Sequence, residues 1–171
     1  MAEVFLDKCL LFCRKGVAFW RKSGYNKEGL KQKGDFGVKL IVCLDKERGM
    51  MFNHRRQSRD RVLIADMIQH VKDSILWVSP YSAPLFGEDC PTLRIAQDPA
   101  MSAGKDDFCF VEDTPLPQNL TEGDEIILYH WNRLYPSDVR FSCDMSSFRK
   151  KESSQFAGSS HEKIKKEIWK K

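Results

Sequence analysis

The sequence predicts an α/β domain of three layers with a mostly parallel central sheet. Two continuous apolar runs, "VKLIVCL" and "SILWVS", are bounded by charge and turn residues and read as strands buried on both faces. A helical pattern lies between them, so strand, helix and strand follow one another from Val38 to Ser79, a spacing that suits a parallel crossover. With 171 residues and 42% hydrophobic content, the chain is long enough for one such domain with a real core.

Residues 1–34 read as a basic amphipathic leader and linker outside the fold. Phe5, Leu6, Leu10, Phe19 and Trp20 could rest on a membrane surface or a partner. After the first strand, "DKERG" supplies a turn. From Ser58 the chain offers an N-cap, an acid in the first turn and apolar Ile64, Met67, Ile68 and Val71 at helical spacing. "SILWVS" follows as the second strand, then a loop-rich stretch with a short strand at Leu93 to Ala96 and a helical turn after Asp98. "FCFVE" and "DEIILYHWNRL" are the third and fourth buried strands, the latter rich in β-branched and aromatic residues. Residues 38–148 make the predicted core. Residues 149–171 are a polar, basic tail whose end, "KIKKEIWKK", fits either an edge strand or a frayed helix.

Charge is unevenly spread. Met1 to Lys39 holds nine Lys/Arg against four Asp/Glu, and Arg149 to Lys171 eight against three, whereas Leu40 to Phe148 holds eleven against seventeen. An acidic core with basic ends lacks the basic face that a nucleic-acid groove needs; its cations gather at Arg55, Arg56, Arg59 and Arg61. The six cysteines form no C-x-x-C pair and several sit in apolar runs, which suggests reduced, structural thiols in a cytoplasmic protein. There is no run of about 18 apolar residues to span a bilayer. Phosphate-loop, G-x-G-x-x-G and H-E-x-x-H motifs are absent, and the scattered histidines argue against a metal.

Asp60 is the most suggestive single residue. In a helix from Ser58 it shares a stripe with Ile64, Met67, Ile68 and Val71, which would place a partly desolvated carboxylate of raised pKa beside the sheet, ready to bond a polar ligand. It could equally complement the helix dipole from solvent. The arginines beside free helix N–H groups would suit a phosphate or carboxylate, or else form a solvated face paired with acids such as Asp66. His130, within "LYHWN", reads as a structural strand residue or, with His54, as the acid and base of a metal-free ribonuclease.

Taken in order, these segments resemble a shortened, divergent dihydrofolate reductase. "LIVCLDKERGMMF" resembles that family's first strand and mobile loop, "RDRVLIADMIQH" its next helix and "SILWVSPYS" the following strand and helix start. "LRIAQDPAMSAGKDDFCFVED" is similar to the segment entering its fifth strand, and "DEIILYHWNRLYPSDVRF" to a late strand with an Asp-x-x-Phe turn at Asp138 and Phe141. The resemblance implies that Asp60 binds a ligand ring and that NADPH is the cofactor. Two departures imply that cofactor binding is weakened or lost. Glu112 and Asp113 stand where the family has a Gly-Gly pair, and Ser79, Pro80, Tyr81 and Ser82 replace its Gly-Arg-x-Thr. The expected function is the binding of a small heterocyclic or nucleotide-like anion, with Asp60 and His130 as catalytic candidates and His54, Arg55, Arg56, Arg59 and Tyr81 as ligand contacts. The alternative is an RNA-binding or RNA-cleaving protein using the arginines and basic tails. Small proteins of this look can carry a ribonuclease Z label, but the H-x-H-x-D-H zinc motif of that family is absent.

Overall fold

The computed structural model describes residues 37–171 apart from residues 88, 118, 119, 121 and 122, so the expected leader lies outside the described residues. Strand β1 (Lys39–Leu44) is buried throughout from Leu40 onward because its side chains alternate between two cores. Leu40, Val42 and Leu44 enter one; Ile41 and Cys43 enter the other.

After the turn at Asp45, β2 (Gly49–Phe52) pairs antiparallel with β3 (Arg55–Arg56) through a two-residue turn, Asn53–His54. Both turn residues have left-handed backbones, φ 47° and 58°, as a primed hairpin turn demands. Glycine suits the second position better. Because His54 is exposed and makes no hydrogen bond or ion pair among the described residues, His54→Gly should raise stability by about 0.5 kcal/mol in urea melts, the relief of left-handed strain exceeding the entropy cost of glycine.

Helix α1 (Arg61–Val71) follows. The expected start at Ser58 is three residues early: Asp60 is the N-cap, and its carboxylate accepts the N–H groups of Val62 and Leu63. The shifted start changes the buried stripe. Leu63, Met67 and Val71 face the sheet completely, with Ile64 and Ile68 at the flanks. Strand β4 (Leu76–Val78) and a 3-10 turn (Ala83–Leu85) come next. They are followed by β5 (Leu93–Ile95), the four-residue helix α2 (Pro99–Ser102) capped by Asp98, β6 (Phe108–Phe110) and β7 (Glu125–His130). The short β8 (Val139–Arg140) then joins β2 and β3 in a small sheet of order β3-β2-β8, which the sequence reading did not anticipate.

The C-terminal residues are no tail. They form β9 (Arg149–Phe156) and β10 (Ile164–Lys170), completing a seven-stranded sheet of order β5-β4-β6-β1-β7-β10-β9. The first five of these strands are parallel, and β10 pairs antiparallel with both β7 and β9, so it alone runs against the other six and the sheet is mostly parallel. β10 is an interior strand, because Ile164 and Ile168 bury under α1 and Trp169 packs on the other side; the polar β9 is the edge. One face is covered by α1 and the segment around Leu85 and Phe86. The other is covered by α2 and by Leu116, Leu120, Phe141 and Phe148. Cys43, Cys90 and Cys109 are buried free thiols. No described helix is long and apolar enough to cross a membrane.

Candidate functional site at the carboxyl edge of the sheet

The chain leaves β1 toward β4 on one side and leaves β6 toward β7 on the other, although β1 and β6 are neighbours. Their carboxyl ends therefore flank a topological switch point, where open α/β sheets leave a crevice. Polar residues follow each strand here: Asp45 after β1, Ser79 after β4, Glu112 and Asp113 after β6.

Arg56 reaches this edge from β3. Its guanidinium lies 3.0 Å from Glu112 Oε1, donates to the Tyr81 carbonyl at 3.0 Å and stacks 4.6 Å above the Tyr81 ring. Its backbone N–H donates to the Tyr81 hydroxyl at 2.9 Å. Ser82 donates to Glu112 at 2.7 Å and Ser79 to Asp113 at 2.7 Å. Burial raises the Glu112 pKa, and the Ser82 hydrogen bond and the Arg56 charge only partly offset it, while Asp113 adds to the rise. The same desolvation, with Glu112 nearby, pushes the Cys43 thiol well above its ordinary value. The two stretches that depart from the reductase pattern thus bond to each other, with Arg56 as the hub.

Asp45, which is buried, ties the neighbouring wall together. It accepts the N–H groups of Glu47 and Gly49, the Gln57 side-chain amide at 3.2 Å and the Tyr135 N–H at 3.1 Å. A Cβ at Gly49 would meet the Gln57 amide and Ser137, so glycine is required for this close approach. The result is a cleft of about 260 Å³ lined by Phe52, Asn53, Arg55, Arg56, Gln57, Tyr135 and Pro136. The Arg55 guanidinium has no ion-pair partner among the described residues and is exposed.

Asp60 does not lie in this cleft. Besides capping α1, it accepts the N–H groups of Ser159 (3.0 Å) and Ser160 (2.7 Å), and the Ser160 hydroxyl (3.0 Å), all from the β9–β10 connection. Its pKa is lowered rather than raised. Desolvation pushes it up, but the hydrogen bonds from Ser159, Ser160 and Leu63 together outweigh that push and hold the carboxyl below the usual range. The connection approaches so closely that a Cβ on Gly158 would collide with the Asp60 carboxylate and the Ile164 side chain. Beside it, His161 Nδ1 lies 3.0 Å from the Ser160 hydroxyl and 3.4 Å from Asp60. The imidazole stacks on Trp131 at 4.8 Å, and its Nε2 lies 2.8 Å from the Tyr135 hydroxyl.

The remaining predicted residues separate. Arg59 and Arg61 flank a groove along α1 with Ile64, Ile68 and Asp89, and Asp66 pairs with Lys166 at 2.7 Å and accepts the Tyr129 hydroxyl instead of meeting an arginine. His54 sits on the exposed turn. His130 lies 3.2 Å from Glu167 in a different pocket, with Lys46, Lys163 and Lys165; burial lowers its pKa, against the opposing pull of Glu167. No bond joins His54 to His130 among the described residues. Of the seven candidates, Arg56 meets Tyr81 and shares the cleft with Arg55. Tyr135 and His161 were missed, while Glu112 had a signal: a carboxylate two residues beyond a buried parallel strand. Among the described residues no three His, Cys, Asp or Glu side chains converge to hold a metal ion. Comparison with protein-family models and with curated proteins finds no match for the chain.

Proposed function

We propose that the carboxyl-edge cleft binds a small planar anion, heterocyclic or nucleotide-like, on a domain of dihydrofolate reductase type whose NADPH binding is weakened or lost. The observation that carries the reading is the pairing, in one cleft beside Arg56, of the Arg55 cation, which has no ion-pair partner among the described residues, with the aromatic side chains of Phe52 and Tyr135. A ring can lie against the aromatic walls while its charged group meets Arg55. The order of strand, capped helix, strand and late strands supports the family type. Two features count against a whole dinucleotide. A cleft of about 260 Å³ suits one ring system and one anionic group. The positions that resemble the family's phosphate-binding motifs are taken by the carboxylates of Glu112 and Asp113, bonded to Ser82 and Ser79.

Thermal-shift titration with folate, adenosine monophosphate, NADPH and a short single-stranded RNA tests this. Folate or the mononucleotide should raise the midpoint, NADPH should act no better than the mononucleotide, and Arg55→Ala should weaken binding at least tenfold, about 1.4 kcal/mol. Silence from all of them overturns the reading. A response to RNA alone, falling steeply with salt, transfers it to the RNA-binding alternative.

A further inference from the structure

Tyr135, His161 and Asp60 form a series of polar contacts that leads from the cleft to the buried cap of α1. The carboxylate is buried in the N-cap of α1. The imidazole is 3% exposed and lies between the carboxylate and Tyr135, and Tyr135 lines the Arg55–Arg56 cleft. An ionised Asp60 at 3.4 Å draws the imidazole proton to Nδ1, which leaves the Nε2 lone pair to accept the Tyr135 hydroxyl at 2.8 Å. Trp131 holds the ring in its plane from one face. A hydroxyl, a base within hydrogen-bond reach and a carboxylate orienting that base are the signature of an activated nucleophile.

We propose that Tyr135 is a nucleophile activated by His161 and oriented by Asp60, acting on an acyl or phosphoryl ester whose negative charge is held by Arg55. The Tyr135 oxygen forms a bond to the carbonyl carbon or phosphorus while its proton passes to His161 Nε2. The bond to the leaving oxygen then breaks, and that oxygen takes the proton back from His161. Asp60 remains ionised throughout and compensates the imidazolium. The charged or titratable groups that face this series are Asp60 from α1, Asp45 at the Tyr135 backbone, and Arg55 and Arg56 across the cleft. Tyr135 would be the catalytic residue; His161, which transfers its proton, is the base, and Asp60 a positioning residue. The inference rests on the cleft of the preceding section but not on the identity of its ligand.

The test uses 4-(fluorosulfonyl)benzoate, an anionic electrophile that needs no known substrate. The Tyr135 oxygen bonds to sulfur, fluoride departs and the proton goes to His161. Peptide mass spectrometry should find one adduct per chain, on Tyr135, absent in Tyr135→Phe and unchanged in rate in a Lys163→Ala control. His161→Gln should slow it at least tenfold. Should that variant unfold, the wild-type pH profile decides: base activation makes the rate level off well before the ordinary phenol range is reached. A rate that climbs only toward the phenol value of roughly 10 overturns the proposal. Labelling confined to lysines or Tyr81, or His161→Gln reacting at the wild-type rate, overturns it too. Anion binding without labelling removes this inference alone, and labelling without anion binding removes the ligand reading alone.

Discussion

Asp60→Ala is expected to cost about 4 kcal/mol, read as a fall in the urea midpoint at unchanged slope. The figure combines the loss of a helix cap, about 1 kcal/mol, with three further donors left without their acceptor at about 1 kcal/mol each, the low end of the usual range because Ser159 and Ser160 are exposed residues. The cap is the pair of bonds from the Val62 and Leu63 N–H groups, and the further donors are the N–H groups of Ser159 and Ser160 and the Ser160 hydroxyl. The carboxylate also gives stability a sign in pH. Because its folded pKa lies below the unfolded value of about 3.9, the contribution is full above that value and is lost as pH falls through the acid range. Wild-type stability should therefore drop more steeply than that of Asp60→Asn between about pH 5 and pH 2. Parallel slopes for the two proteins would mean that the carboxylate carries no net favourable charge interaction.

Gly158→Ala should be the second large loss, about 3 kcal/mol, and for a different reason. The new methyl group has no free volume, because its position is taken by the Asp60 carboxylate and the Ile164 side chain. Overpacking of a dense site usually costs 1–3 kcal/mol, and here the obstructing carboxylate is fixed by its donors and cannot swing away, which puts the value at the upper end. The two substitutions should not add. Once Asp60 is alanine only the flexible end of Ile164 still obstructs the methyl group, so the double variant should be more stable than the sum of the single losses predicts, by about 1 kcal/mol or more. Strict additivity would show that the β9–β10 connection and the helix cap are independent.

The parallel strands were legible because β1, β4, β6 and β7 are short apolar runs between turn signals, and burial on both faces is what such runs are for. The last two strands were not. Arg149–Phe156 is almost wholly exposed along an edge, so its composition is that of a solvated loop, and only pairing with β10 makes it a strand. Within the site, the arginine cluster and Asp60 were conspicuous by residue type, but their geometry depends on details that periodicity does not carry. A helix start three residues later turned Asp60 from a first-turn residue into a cap, and a two-residue hairpin turn sent Arg56 across the sheet edge toward Glu112. Tyr135 and His161 were illegible because each meets the other only through loops that the fold brings together.

The hydrogen bond from Ser160 to Asp60 joins residues one hundred positions apart. In a chain synthesised from its N-terminus, α1 is finished long before the acceptors of its buried cap find their second set of donors. Until Ser159 and Ser160 have been made, the Asp60 carboxylate and the helix start it caps must stay hydrated, and the Leu63–Met67–Val71 stripe lacks the β10 surface it packs against. The strand-helix-strand unit that reads most clearly in the sequence is therefore a unit that cannot settle by itself. Its assembly awaits a late, polar hairpin, and a nascent chain stalled before Gly158 should expose α1 to protease while the same helix in the finished protein resists it.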